Sequence, residues 1–188
     1  MVFREQKQKR RIAIFGGSFN PPHIGHTAIC KWLLAKGLVD EVWVIPCYNH
    51  PFSKVLEKFE HRLKMLKLAL GRLMLSIKVL HTEKELGGVS HTIRTIEHLR
   101  KKNPDCRFYL VTGTDVRREA PDWYQFDKIR EIVEIIEVPR GEASTIPDIS
   151  STEIRKKIEK GESFHKHVEG EVAIYIITKS LYRNQDDN

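Results

Sequence analysis

The chain has 188 residues, with 32 Lys and Arg against 25 Asp and Glu, for a formal net charge of +7. At roughly 150 residues per domain this length predicts one domain, and 40% hydrophobic residues supply enough core to exclude a largely disordered chain. No apolar stretch approaches the roughly 20 residues of a membrane span. The first eleven residues are polar and basic, and Ile12–Phe15 is too short for a signal-peptide core, so a cytoplasmic protein without a membrane partner is expected. Cys30, Cys47 and Cys106 lack CxxC spacing and read as reduced thiols, with no metal held by the protein. Much of the surplus charge lies in Arg4, Lys7, Lys9, Arg10 and Arg11, a basic arm at residues 1–10 that reads as a solvated tail. It has no aromatic interleaving, so no nucleic-acid partner is expected.

In chain order, Arg11–Phe15 reads as a buried strand, then Ile24, Ala28, Trp32 and Ala35 recur at helical spacing until Gly37. Glu41–Pro46 is a second strand, followed by a helix with an apolar stripe of Phe59, Leu63, Leu66 and Leu70 ending at Gly71. Strands are predicted at Leu75–Leu80, Arg107–Thr112 and Val133–Val138, and helices at Thr92–Lys102, Trp123–Ile129, Ser151–Lys160 and Val168–Leu181. This alternation predicts an α/β fold: a doubly wound parallel sheet of about five strands, helices on both faces, spanning residues 11–182 before a polar tail at 183–188. Ligands of such sheets bind beyond the carboxyl ends of the strands. Function is therefore expected in the segments after Phe15, Ile45, Leu80, Thr112 and Val138.

The segment after the first strand is Gly16-Gly17-Ser18-Phe19-Asn20-Pro21-Pro22-His23-Ile24-Gly25-His26. Paired glycines let backbone N–H groups approach a phosphate, and the following helix points its positive end at the same place. His23 and His26 stand three apart on the first helical turn, so both imidazoles can face one ligand, and Gly25 keeps the surface low for a triphosphate. The spacing does not match H-E-x-x-H zinc sites and no carboxylate accompanies it. Far along the chain, Ile149-Ser150-Ser151-Thr152-Glu153-Ile154-Arg155 begins a helix with a capping box between Ser150 and Glu153. Arg155 on that turn can reach an anion held there.

The first string resembles the G-x-F-x-P-x-H-x-G-H signature of nucleotidylyltransferases that share a Rossmann-like fold with class I aminoacyl-tRNA synthetases. Together with the second, it resembles the bacterial nicotinate-nucleotide adenylyltransferases over about residues 11–182. Landmarks between them agree in order: Pro51-Phe52-Ser53-Lys54, then Glu60-His61-Arg62, Ser90-x-Thr92, Gly113-x-Asp115 and Trp123. The resemblance implies transfer of the adenylyl group of ATP to nicotinate mononucleotide, giving the dinucleotide and pyrophosphate in NAD biosynthesis, with Mg2+ carried by the ATP phosphates. It further implies that His23, His26 and Arg155 are catalytic. Gly16, Gly17, Ser18, Phe19, Gly113, Asp115, Ile149, Ser150, Ser151, Thr152 and Lys54 would contact ATP; Asn20, Thr92 and Trp123 would lie on the mononucleotide side. Arg62 has two readings, a phosphate contact there or part of a polar helix face with Lys64 and Lys67. The other histidines, at 50, 61, 81, 91, 98, 165 and 167, read as structural or surface residues.

Departures from the family pattern are Asn20 where Asp is common, His91 where Ser-Tyr-Thr is common, Arg94 where Asp is common, and Phe52-Ser53 in the lysine-bearing loop. They fall near the mononucleotide side, so a nicotinamide-mononucleotide or dual-specificity enzyme is the alternative. The length leaves no room for the further domains of a tRNA synthetase. Other nucleotidylyltransferases of this signature are not expected to carry the second motif in this form. Intact His23, His26 and Arg155 argue against a silent nucleotide-binding regulator. A homo-oligomer is compatible with the sequence.

Overall fold

The computed structural model describes residues 9–52, 54–73, 75–114, 122–139 and 144–183. Its elements are β1 (Arg10–Gly17), α1 (Ile24–Ala35), β2 (Glu41–Pro46), α2 (Phe59–Leu70), β3 (Ile77–Val79) and α3 (Thr82–Leu86). There follow α4 (Thr92–Lys102), β4 (Cys106–Gly113), α5 (Phe126–Ile132), β5 (Glu134–Val138), α6 (Ser151–Glu159) and α7 (Gly170–Thr178). The five strands form one sheet in the order β3-β2-β1-β4-β5, all pairs parallel. β1 is central: Ile14 stands opposite Trp43 of β2 and Leu110 of β4.

A strand covered on both faces must be apolar at consecutive positions, and Ile12–Phe15 are all buried. The period of two sorts them. Ile12 and Ile14 face a cluster with Ile93, Ile96 and Leu99 of α4 and Ile129 of α5. Ala13 and Phe15 face the opposite cluster, with Ile29, Cys30 and Leu33 of α1 and Leu66 and Leu70 of α2. A third cluster joins Met65 of α2 to Ile154 and Ile158 of α6 and Val172, Ala173 and Ile176 of α7. It seats the last two helices beside α2, beyond the sheet.

Several sequence expectations are corrected in detail. The buried residues of α1 are Gly25, Thr27, Ile29, Cys30 and Leu33, so Ile24, Ala28, Trp32 and Ala35 mark its margin rather than its core stripe. β3 is shorter than the apolar run Leu75–Leu80, because Leu75 is fully exposed and the chain first meets the sheet at Ser76, whose carbonyl accepts from the Val42 N–H at 2.8 Å. The short helix α3 lies in a segment to which no element is assigned from the sequence. α5 starts after Trp123 and Tyr124 because Gln125 takes a left-handed conformation at its N-cap. α7 stops at Thr178, and Ser180 and Tyr182 adopt positive φ of 50° and 63°.

Leu33 is fully buried between α1 and the sheet. Leu33→Ala is expected to cost about 2–5 kcal/mol, the sum of lost transfer energy and the cavity left behind. Urea unfolding should show a lower midpoint at an unchanged m value.

Candidate functional site

The connection leaving β1 runs to β2 on one side, and that leaving β4 runs to β5 on the other. The two neighbouring strands thus part at their carboxyl ends, and a cleft opens where strand order reverses. Its volume is about 640 Å3, within the usual range for a small-molecule site. Segments that follow all five strands line it, among them Gly16–Ser18, Cys47, Gly113 and Ile149–Ser151.

The β1–α1 loop forms the floor. A Cβ built on Gly16 would meet nothing within 4 Å, so this backbone lies against open space. At Gly25 a Cβ would sit 3.0 Å from Nδ1 of His23 and 3.1 Å from the Pro147 carbonyl oxygen. The missing side chain therefore makes room for the protein's own imidazole and for the chain before α6. The backbone N–H of His23 donates to Nδ1 of His26 at 3.1 Å, which places the proton of the neutral His26 ring on Nε2. The two rings stack with centroids 3.7 Å apart, and the Phe19 ring meets His26 edge-on at 4.8 Å. Both histidines line the cleft, His23 being only 3% exposed.

The second motif grips the first. Ser150 Oγ accepts from the Glu153 N–H at 3.1 Å and caps α6. Ser151 Oγ donates to the Pro21 carbonyl at 2.8 Å, and Arg155 Nη1 donates to the Asn20 carbonyl at 2.7 Å. A second nitrogen of Arg155 reaches Thr152 Oγ1 at 3.3 Å. Ile149, Ser150 and Ser151 line the cleft, whereas Thr152 and Arg155 do not.

Two further expectations need correction. Arg62 is neither on the cleft nor on a polar helix face: it is 1% exposed, and its guanidinium donates to the Glu57 carbonyl at 2.8 Å and the Ser18 carbonyl at 2.7 Å. Burial lowers its pKa below the ordinary arginine value. Asn20 is 3% exposed and points away from the cleft, its Oδ1 accepting from the Glu57 N–H and the Tyr182 hydroxyl. Phe19, expected to contact the nucleotide through its backbone, packs its ring into the core at 1% exposure and takes a positive φ of 48°. Asp115 lies outside the described residues.

On the opposite wall, Thr92 opens α4, and Thr92, Thr95, Trp123 and exposed Lys54 all line the cleft. Arg94 does not bring its charge in, because Nη1 donates to the Gly87 and Val89 carbonyls at 3.0 and 2.9 Å. His50 and His91, read from sequence as structural or surface residues, line the cleft as well, and His91 packs on Tyr124 with centroids 4.7 Å apart. Cys47, Glu83 and Tyr124 were not singled out by sequence. Their available signal was position, since Cys47 immediately follows β2 and Glu83 lies just after β3. Glu83 Oε2 accepts from the Tyr48 N–H at 3.1 Å, Thr95 Oγ1 lies 3.5 Å from Oε1, and burial raises the carboxyl pKa. Burial also pushes the Cys47 thiol up to about 11 and Cys30 up to about 12, so neither is a thiolate nucleophile at neutral pH. Among the described residues no group of three or more His, Cys, Asp or Glu side chains could hold a metal ion.

Residues 14–157 match the family model described as cytidylyltransferase-like. A "Probable nicotinate-nucleotide adenylyltransferase" of Anaeromyxobacter dehalogenans is 43% identical over 183 residues, covering 93% of this chain and 97% of the relative. A protein of the same name from Myxococcus xanthus is 32% identical, covering 92% and 94%. Among solved structures, the Plasmodium falciparum nicotinic acid mononucleotide adenylyltransferase complexed with NaAD superposes with a TM-score of 0.80. That match covers 92% of this chain and 97% of the other at 21% identity, a likeness of fold.

Glu83 gives this wall a pH dependence of defined sign. Its carboxyl is raised above the ordinary value of 4.5, so folding takes up a proton between the ordinary and folded values. The associated stability is full below pH 4.5 and is lost as pH rises through the folded value. Glu83→Gln keeps an acceptor for Tyr48 and removes the buried charge. Its stability relative to the parent should climb above the ordinary carboxyl range, by at most about 1.4 kcal/mol per pH unit, and then level off. Urea unfolding from pH 4 to 8 measures this, and a difference independent of pH would contradict it.

Proposed function

The chain belongs to the cytidylyltransferase-like family and, within it, to the nicotinate-nucleotide adenylyltransferases, and we propose that it transfers the adenylyl group of ATP to nicotinate mononucleotide. The observation that carries this reading is the meeting of two motifs in one cleft. The start of α1, with stacked His23 and His26, faces the same space as Ser150 and Ser151 at the start of α6. Two helix N-termini and a donor-bearing imidazole suit a polyanion.

In the proposed reaction a phosphate oxygen of the mononucleotide attacks the α-phosphorus of ATP. The new O–P bond forms as the bond to the β-phosphate oxygen breaks, and pyrophosphate leaves with the electron pair. The attacking oxygen is already ionised at neutral pH, so neither a covalent intermediate nor a strong base is required. Catalysis then consists of alignment and of neutralising charge as it builds on pyrophosphate. Mg2+ enters as MgATP, part of the substrate. His26, with its proton on Nε2, donates to the developing charge, while His23, Ser150 and Ser151 hold the phosphates. Gly16, Ser18 and Gly113 lie along the nucleotide and Lys54 approaches its phosphates. Thr92 and the first N–H groups of α4 receive the nicotinate carboxylate, and Trp123 stacks on the pyridine ring. Arg155, engaged with Asn20 and Thr152, acts by fixing the loop. No helix among the described residues is long and apolar enough to cross a membrane, and we place the reaction in the cytoplasm, independent of nucleic acid.

The test is pyrophosphate release from MgATP with nicotinate mononucleotide, nicotinamide mononucleotide, phosphopantetheine and glycerol phosphate in turn. Nicotinate mononucleotide should be the best acceptor. One or two charge-assisted hydrogen bonds to its carboxylate, at roughly 1.5–3 kcal/mol each, imply about 10- to 10⁴-fold higher kcat/KM than for the amide. Equal values would show that the branch is misassigned; no release with either mononucleotide would refute adenylyl transfer. His26→Ala should lower kcat on the order of 10²–10³-fold with a smaller effect on ATP binding, as for loss of one preorganised donor. Isothermal titration with a non-hydrolysable ATP analogue beside steady-state kinetics separates the two.

A further inference from the structure

Tyr182 comes after the last helix, yet its hydroxyl ends beneath the loop after the first strand. Beyond Thr178 the chain reverses through the left-handed residues Ser180 and Tyr182, with the Leu181 N–H donating to the Ile176 carbonyl at 3.0 Å. The reversal buries Leu181 and packs the Tyr182 ring against the cluster that joins α2, α6 and α7. The hydroxyl donates to Oδ1 of Asn20 at 3.0 Å, 162 residues away in sequence. The same oxygen accepts from the Glu57 N–H at 3.1 Å. Asn20 also offers its carbonyl to Arg155, and the next carbonyl, of Pro21, is taken by Ser151. Three separate parts of the chain thus converge on the two residues that lead into Pro22 and His23. Burial, with Glu57 nearby, keeps the phenol in its protonated, donating form.

We propose that Tyr182 is a positioning residue for the transfer step: its hydroxyl fixes Asn20, and through Asn20 the backbone that presents His23 and His26 to the phosphates. It does not line the cleft, so it touches no substrate and acts through the loop alone. This rests on the adenylyl-transfer reading for its kinetic consequence, and on geometry alone for its effect on the loop.

Tyr182→Phe removes one oxygen and keeps the packed ring, and Asn20 Oδ1 retains the Glu57 N–H, so no buried acceptor is stripped bare. Hydrogen exchange at the amides of residues 23–27 should quicken about tenfold in the variant, while the β4 amides keep their protection. Turnover with MgATP and nicotinate mononucleotide should fall about tenfold, with both KM values within about twofold, as for misalignment rather than lost binding. In an Asn20→Ala background the same substitution should cost nothing more, because the link is already cut. Unchanged loop exchange overturns the proposal whatever the substrate proves to be. Full additivity, or a kcat loss that only follows the loss of folded protein, overturns it as well. If Asn20→Ala does not fold, loop exchange and kinetics of Tyr182→Phe decide alone. Wild-type protein that is inactive with every acceptor refutes adenylyl transfer instead, a result that leaves the exchange measurement standing.

Discussion

The carbonyl oxygens of the β1–α1 loop are held on the protein side, and the cleft depends on that. Arg62 takes the Ser18 carbonyl, Arg155 that of Asn20 and Ser151 that of Pro21. Left unpaired, buried carbonyls would each cost about 1–3 kcal/mol. Turned into the cleft, they would present negative dipoles to a triphosphate. Anchoring them from α2 and α6 does two things at once: it satisfies the backbone, and it leaves the ligand side to N–H groups and imidazoles. The sheet supplies the frame, since its order reverses beside β1, but the charge pattern of the site comes from these side chains.

This division explains how charge is distributed. Two of the arginines nearest the β1–α1 loop are spent on carbonyls, and Arg94 is likewise committed to the carbonyls of the α3–α4 turn. Among the described residues that line the cleft, positive potential then comes from helix N-termini and from Lys54, whose side chain is exposed beside the opening. Helix N-termini attract anions without the tight grip of fixed cations, which eases the departure of pyrophosphate. Glu83 in the far wall works in the opposite sense, its carboxyl tethering the Tyr48 backbone at the edge of the lysine-bearing loop.

Much of this was legible in the sequence, and the failures share a cause. Alternating apolar runs gave the strands because β1 and β2 are buried on both faces. The two motifs marked the floor of the cleft because their chemistry is local, a turn and two helix starts. Arg62 was misread because one sequence position does not reveal which carbonyls lie beneath it; a buried guanidinium and a solvated one look alike in a charged helix. Arg155 and Asn20 lie within motifs, and a motif shows which residues gather without showing which of them face the ligand. Leu75 was read as strand because it is apolar, although it is fully exposed. His50 and His91 had no periodicity to mark them, since loop residues are brought to a site by the frame and not by their spacing.

The long reach of the Arg155–Asn20 bond, 135 residues in sequence, bears on how the protein is made. A chain leaving the ribosome presents the glycine-rich loop early and α6 late, and β1 cannot complete its pairing until β4 has emerged. Until then the Asn20 and Pro21 carbonyls lack the partners that α6 supplies. An unfinished chain therefore lacks the wall of the cleft that Ile149, Ser150 and Ser151 form. Competence arrives late in translation, when α6 closes on a loop that has been waiting since the first strand.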